Sequence, residues 1–583
     1  MNRKLLNSAK VMIACCGLIA AVAIVSSCNK ASAPAQDPRL HQPPQAARDG
    51  AESKGLSAPV SGERVESLAP IAGQPLAKSM ELSSQSAGVP GAAQPAAPAD
   101  AIGDGRYRQD FNTETYDRIF ENTFLDVVNN PLSTFSIDVD TASYSNMRRF
   151  LNTGSLPPPD AVRIEELVNY FPYDYPPPEG DVPFSASTEV GQCPWAPDHW
   201  LVRIGLQGRP LAEDKLPGRN LVFLLDVSGS MNTPDKLPLL KQAMRLLTQT
   251  LSADDRIAAV VYAGAAGLVL PSTPGDQQEK ILSALEQLSA GGSTNGGHGI
   301  QLAYSVAREN FIKDGINRVI LATDGDFNIG VTNQGELIRL IEDERKSGVF
   351  LTVLGFGQGN LKDSTMEKLA DTGNGNYAYI DSIHEARKVL VNEAGGTLVT
   401  IAKDVKIQVE FNPVKVAAYR LIGYENRLLR NEDFNDDTKD AGEIGAGHRV
   451  TALYELVPVG EPVPDSNVDE LKYQSSRQTT DAAFADELMT VKLRYKEPTS
   501  DTSQLLSFPV TGPISKLADT TSDFQWAAAV AGFGMVLRQS GHKGNATFDG
   551  MYELAQGAAA SDEGGYRQEF LKLVDTARKL SAR

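Results

Sequence analysis

Asp226-Val227-Ser228-Gly229-Ser230-Met231 follows directly on the apolar run Leu221–Leu225. A short, unbroken apolar run suits a strand buried on both faces, as in a parallel sheet. Its polar end places a carboxylate and two hydroxyls at every second residue, across a turn that Gly229 permits. Working outward, Ile257–Tyr262, Val319–Ala322, Val349–Leu354 and Tyr377–Ile380 are runs of the same kind. Helical patterns lie between them at Lys236–Leu251, Gln277–Leu288, Gly299–Phe311, Gln334–Lys346 and Ser364–Ala370. Strands alternating with helices predict a doubly wound, mostly parallel α/β sheet over residues 216–396. Ligands of such sheets sit beyond the carboxyl ends of the strands.

Two further polar groups fall on that rim. Gly291-Gly292-Ser293-Thr294-Asn295 precedes the Gly299 helix, and the strand Val319–Ala322 runs into Thr323-Asp324-Gly325. Two carboxylates with several hydroxyls suit a hard divalent cation, magnesium or manganese, better than zinc or copper. They leave the cation unsaturated, open to an outside anion such as a partner's carboxylate. Thr323 and Asp326, on either side of Asp324, read as solvated loop residues in preference to groups that support the ligands from behind.

Asp226-x-Ser228-x-Ser230, Thr294 and Asp324 together resemble the metal-ion-dependent adhesion site of von Willebrand factor type A domains. The resemblance implies direct coordination of Mg2+ or Mn2+ by Ser228, Ser230 and Thr294, with Asp226 and Asp324 acting through water. It also implies a protein ligand whose carboxylate completes the octahedron. The wider chain resembles YfbK-like bacterial lipoproteins, at Pro131–Ser143 and Ala161–Tyr175 before the central domain and at Lys403–Asn412 and Asp433–Gly447 after it.

Arg3, Lys4 and Lys10 precede an apolar run, Val11–Val25, that is too short to span a bilayer comfortably. Val25-Ser26-Ser27-Cys28 then resembles a lipoprotein signal over 1–27, cut before Cys28, which carries the lipid and anchors the chain to a membrane. Cys15 and Cys16 leave with the signal, so Cys193 stands alone and reads as a buried structural cysteine. Asn29 after the cysteine resembles a signal for the outer membrane of the cell envelope. Residues 28–105 are rich in Ala, Pro, Ser and Gly and read as a disordered tether. As a flexible coil of about 70 residues it reaches roughly 50 Å.

Residues 106–215 form a further region, with a strand expected at Ser133–Val139 and a helix at Ala142–Leu151. In Asp138-Val139-Asp140-Thr141, helix capping by Asp140 or Thr141 is expected in preference to a calcium site. Residues 397–583 begin with alternation, Val405, Ile407, Val409 and Phe411 against Lys406, Gln408 and Glu410, and Val491, Leu493 and Tyr495 behave alike. That pattern predicts half-solvated antiparallel strands, a β-sandwich or similar sheet. Helices at Phe524–Gln539 and Tyr566–Leu580 follow.

Charge and motifs narrow the function classes. With 73 acidic and 55 basic side chains the net charge is −18, which argues against a nucleic-acid protein. The 6 histidines are scattered, so HExxH metal motifs are excluded. The chain has no phosphate-binding GxxxxGK[ST] loop and no GxSxG nucleophile elbow. Gly355-Phe356-Gly357-Gln358-Gly359-Asn360 reads as a plain turn leaving the sheet. The leading expectation is a tethered envelope lipoprotein, not an enzyme, that binds a protein partner through the metal. A metal-dependent hydrolase is the second reading, with His298 its one nearby base. The third is a structural envelope protein whose metal does not gate a partner.

Overall fold

Alternate side chains of the strand Arg219–Asp226 enter different cores. Leu221, Phe223 and Leu225 join one apolar cluster, while Val222 and Leu224 join another. A strand buried on both sides needs helices on both sides, and the computed structural model has them. It describes residues 113–583 except 213–215, 293–296, 326–333, 394–397, 465–478, 560, 561 and 563. The signal, Cys28 and the whole of the tether lie outside the described residues.

The central sheet has six strands in the order Tyr377–Ile380, Phe350–Phe356, Ile316–Thr323, Arg219–Asp226, Arg256–Tyr262 and Ala266–Pro274. The first five run parallel and the last is antiparallel. Helix Leu237–Thr248 packs Leu240, Met244 and Leu247 on one face; helix Gly297–Glu309 packs Ile300 and Tyr304 on the other. Sequence reading missed Ala266–Pro274. Its prolines, Pro271 and Pro274, are tolerated because it lies at the edge, where missing N–H donors leave no partner strand unmatched.

The two flanking regions share their sheets. Leu125–Asp126, Phe184–Gln192 and Trp200–Gly208 lie in one sheet with Val416–Ile422 and Arg449–Pro458. Leu132–Ser136 pairs with Thr400–Phe411 in a second sheet, beside Ile444–Gly445, Glu487–Lys496 and Ser503–Thr511. Val202, Ile204, Tyr419 and Tyr454 of the first sheet and Ile407, Val409, Val491 and Leu493 of the second share one core. The result is a β-sandwich built from both ends of the folded chain. A fourth core joins helices Ala142–Asn152 and Ile164–Asn169 to Ser522–Arg538, Phe548–Ala558 and Tyr566–Ser581. Helix Phe548–Ala558 was not anticipated: Gly550 and Gly557 weaken its pattern, and a Thr547 hydroxyl accepting from Gly550 N at 3.1 Å starts it.

The capping expectation at Asp140 and Thr141 is corrected. Thr141 stands at the N-cap of Ala142–Asn152 and makes no side-chain cap bond. Asp140 instead accepts from Tyr377 N at 2.8 Å, at the start of a central strand, and pairs with Arg427 at 3.3 Å. Asp138 also meets Arg427, at 3.2 Å. Asp140 thus ties the flanking unit to the central domain, and Arg427, held by both acids, reaches Glu367 at 3.0 Å and Asp371 at 2.6 Å there.

A candidate metal centre at the carboxyl rim

Asp226 is fully buried where its strand ends. Parallel register sets Tyr262 beside it on one neighbouring strand, and continuation past Leu225–Ala322 sets Thr323 beside it on the other. Both donate to its Oδ2, Tyr262 Oη at 3.1 Å and Thr323 Oγ1 at 3.4 Å. The Ser228 backbone N–H donates to Oδ1 at 2.8 Å, closing the turn over the strand end. Ser228 and Ser230 then bring their hydroxyl oxygens to 3.0 Å from each other. Met231, buried in the core below, pins this turn to the sheet.

The neighbouring glycine loop is tied to the same turn. Gly291 N donates to Val227 O at 2.8 Å and Gly229 N to Gly292 O at 3.1 Å. Thr294 and Asp326 lie outside the described residues. Asp324 follows the adjacent strand and is 1% exposed. Its Oδ2 receives the Lys236 ammonium at 2.9 Å, and Lys236 is itself buried. So the rim brings Asp226, Ser228, Ser230 and Asp324 together.

Burial pushes the Asp226 carboxyl above its ordinary range; hydrogen bonds from Ser228 oppose this, and the charge of Asp324 adds to it. Burial and the Asp226 charge also raise the Tyr262 phenol, which stays protonated and able to donate. Two buried carboxylates, with two hydroxyls converging beside them, form an all-oxygen donor set that fits a hard dication. Among the described residues no group of three or more His, Cys, Asp or Glu side chains is arranged to hold a metal, so the hydroxyls are necessary to any site here.

Sequence reading missed Lys236 and Tyr262 as site residues and misplaced Thr323, which is buried and bonded to Asp226. Tyr262 ends an apolar run aligned with that of Asp226, which was the available signal. His298 is exposed in the first turn of Gly297–Glu309. Cys193 is buried, and burial pushes its thiol well up.

The glycine-rich loop after Phe350–Phe356 is more than a turn. Gly357, at φ +76°, leaves room for the Lys236 stem: a Cβ there would sit 2.2 Å from Lys236 Cε. Gly357→Ala is therefore expected to cost about 2–4 kcal/mol, from a left-handed backbone and overpacking together. Denaturant titration checks this. The same loop receives the start of the described chain, Thr113 N donating to Gly359 O at 2.8 Å and Glu114 accepting from Gly359 N at 2.8 Å.

Comparison with known proteins gives matches along this whole length. The family model described as von Willebrand factor type A domain matches residues 220–391. That described as von Willebrand factor matches 110–203, and that of uncharacterized protein YfbK, C-terminal, matches 396–580. Uncharacterized protein YfbK of Escherichia coli (strain K12) is 44% identical over 472 residues, 80% of this chain and 81% of that one. A von Willebrand factor type A structure from Catenulispora acidiphila is 15% identical with a TM-score of 0.38, covering 67% of this chain and 88% of that one. Proximal thread matrix protein 1 of the mussel byssus, in a structure with a zinc-occupied MIDAS motif, is 22% identical with a TM-score of 0.25, covering 31% and 46%. The fold is thus a von Willebrand factor type A α/β domain with a β-rich region and terminal helices around it.

Proposed function

The chain belongs to the YfbK family, with a von Willebrand factor type A domain at its centre, and we propose that it is an envelope lipoprotein that captures a protein partner through a divalent cation. Ser228, Ser230 and Thr294 would hold Mg2+ or Mn2+ directly, and Asp226 and Asp324 would act through water. When bound, the cation offers an electrophilic position to a carboxylate of the partner. The observation that carries this reading is the convergence of Asp226, Ser228, Ser230 and Asp324 on one rim, joined by hydrogen bonds and burial.

Lipid on Cys28 holds the chain in the membrane, outer in preference to inner, and the tether of about 70 residues lets the rim search roughly 50 Å from it. Among the described residues no helix is long and apolar enough to cross a membrane. The described chain starts at Thr113, against the loop that packs on Lys236. The role is binding; no hydrolytic step is proposed.

Calorimetry of Mg2+ and Mn2+ into the full-length chain in detergent tests the site. Binding is expected in the wild type and its loss in Asp226→Ala, Ser228→Ala, with the folded circular dichroism spectrum retained. Capture of an envelope partner should be abolished by chelator and by the same substitutions. Capture indifferent to both would sink the metal-dependent reading.

A further inference from the structure

We propose that a cavity at the amino end of the central sheet, opposite the candidate metal, binds a small organic monocarboxylate through Arg318. Strand Ile316–Thr323 sends Ile320 and Ala322 into one core, and Arg318 stands on the same face where an apolar residue is expected. Parallel register sets Leu221 beside it on one neighbouring strand and Phe350 on the other. Arg318 is 3% exposed. Among the described residues its guanidinium makes one hydrogen bond, from Nη1 to Thr352 Oγ1 at 2.9 Å, and its buried Nε has no acceptor. The Phe350 ring centroid, 5.7 Å from Cζ, brings no formal charge. Each of the other buried arginines has a carboxylate partner, as Arg420 has Glu455 at 2.8 Å and Arg567 has Asp523 at 2.6 Å. The acid whose charge acts on Arg318 is Glu443, and it is engaged elsewhere. Asn374 donates to its Oε1 at 2.8 Å and Thr400 to its Oε2 at 3.2 Å. Burial raises that carboxyl to about 7 and pulls the guanidinium down to about 10, as befits two groups that do not neutralise each other.

Arg318 lines a cavity of about 810 Å3 between the sheet and the flanking unit, a size that suits a drug-sized molecule. Leu221, Ile320 and Leu390 give it an apolar wall, and the exposed Asn426, Leu428 and Arg449 open it to solvent. Its other buried cation, Lys388, is paired with Glu393 at 2.5 Å, and Arg427 is held by Asp138 and Asp371. His448, pulled down to about 4 by burial and by Lys388 and Arg449, is neutral at neutral pH. Among the described residues the wall therefore holds one buried positive charge without a counter-ion, which a monoanion matches and a dianion exceeds. A planar carboxylate meets a guanidinium edge through two parallel bonds, which are strong where water is scarce. An apolar body on the carboxylate then fills the remaining space. The site lies near the amino ends of strands whose carboxyl ends carry Asp226 and Asp324, so its ligand needs no metal.

Calorimetry with benzoate as the minimal probe and benzamide as its neutral isostere tests this. The full-length chain is held in detergent with chelator throughout, so that no metal at the rim can hold the probe. Benzoate should bind the wild type at least about tenfold more tightly than benzamide. Arg318→Met keeps the apolar stem and deletes the charge, and should bring benzoate binding down to the level of benzamide. Benzoate that fails to bind the wild type, or binds it no better than benzamide, overturns the proposal, as does undiminished benzoate binding by Arg318→Met. None of these results touches the metal reading. Should Arg318→Met fail to fold, Arg318→Lys takes its place: it retains the charge without the planar fork and should weaken benzoate binding several-fold. Unchanged binding by that variant overturns the proposal.

Discussion

Arg148→Met is expected to remove about 3–5 kcal/mol of stability, the cost of stranding buried carboxylates without their cation. Against a total of about 5–15 kcal/mol for a typical domain, that is a large share. The guanidinium sits on helix Ala142–Asn152 and is almost fully buried. It reaches Asp381 at 2.5 Å, just past the last central strand, Glu385 at 2.7 Å in the helix after it, and Glu569 at 3.0 Å in the C-terminal helix. It also donates to Tyr170 Oη at 2.9 Å, and Tyr170 stacks on Tyr144 with centroids 3.6 Å apart. One side chain thus joins the flanking helices to the central domain. Glu385 is fully buried, its Oε1 has no hydrogen-bond partner among the described residues, and without the arginine its Oε2 keeps the neutral Tyr170 hydroxyl at 2.8 Å in place of a cation. The shift in denaturation midpoint measures the loss. Adding Glu385→Gln to the variant should restore part of it by deleting one stranded charge, as a cycle between directly bonded residues allows. A single substitution costing under about 1 kcal/mol would place the seam's strength elsewhere.

That arginine shows where sequence reading ended. The helix bearing it was legible at Ala142–Leu151 and is observed at Ala142–Asn152, because apolar spacing is a local signal. Its ion partners lie more than 200 residues away, and no local pattern announces them. The rim divides in the same way. Asp226, Ser228 and Ser230 were legible because three ligand-type residues alternate after an apolar run, and Asp324 because a second run ends in the same manner. Lys236 belongs to the turn before helix Leu237–Thr248 and finds its partner 88 positions on; read along the chain it is a solvated helix start. The sandwich was half legible. Alternation from Val405 to Phe411 gave the strand, but its pairing of Ile407 with Phe135 joins segments whose register only the folded chain reveals. Asp138 and Asp140 misled for the same reason, since capping is the nearest use of an acid before a helix and an arginine at 427 is the actual one.

Stability is expected to fall as pH rises from 6 to 8.5, contrary to the usual gain of acidic proteins on leaving acid. Burial, first in every case, pushes Asp371, Glu425 and Glu443 up to about 7, Glu166 to about 8 and Asp363 to about 6. Asp371 is also raised by Asp138, with Arg427 opposing. In the unfolded chain these carboxyls ionise near pH 4. Between there and their folded values the native state holds the extra protons, so the stabilisation is complete in acid and is lost as pH climbs through the folded values. His448 works the other way: burial, then Lys388 and Arg449, pull it down to about 4. It therefore adds stability with rising pH, but only until the unfolded histidine is neutral, near 6.5. Glu114, Asp255 and Glu455 have lowered values and have given their full contribution well below pH 6. Above 6.5 the raised carboxyls act without that opposition. Thermal unfolding at constant ionic strength should show Tm dropping by about 5 °C or more over this range. Asp371→Asn, which cannot ionise, should flatten the slope. A Tm that holds level or climbs would mean that the arginines at the seam keep these acids charged in the folded protein.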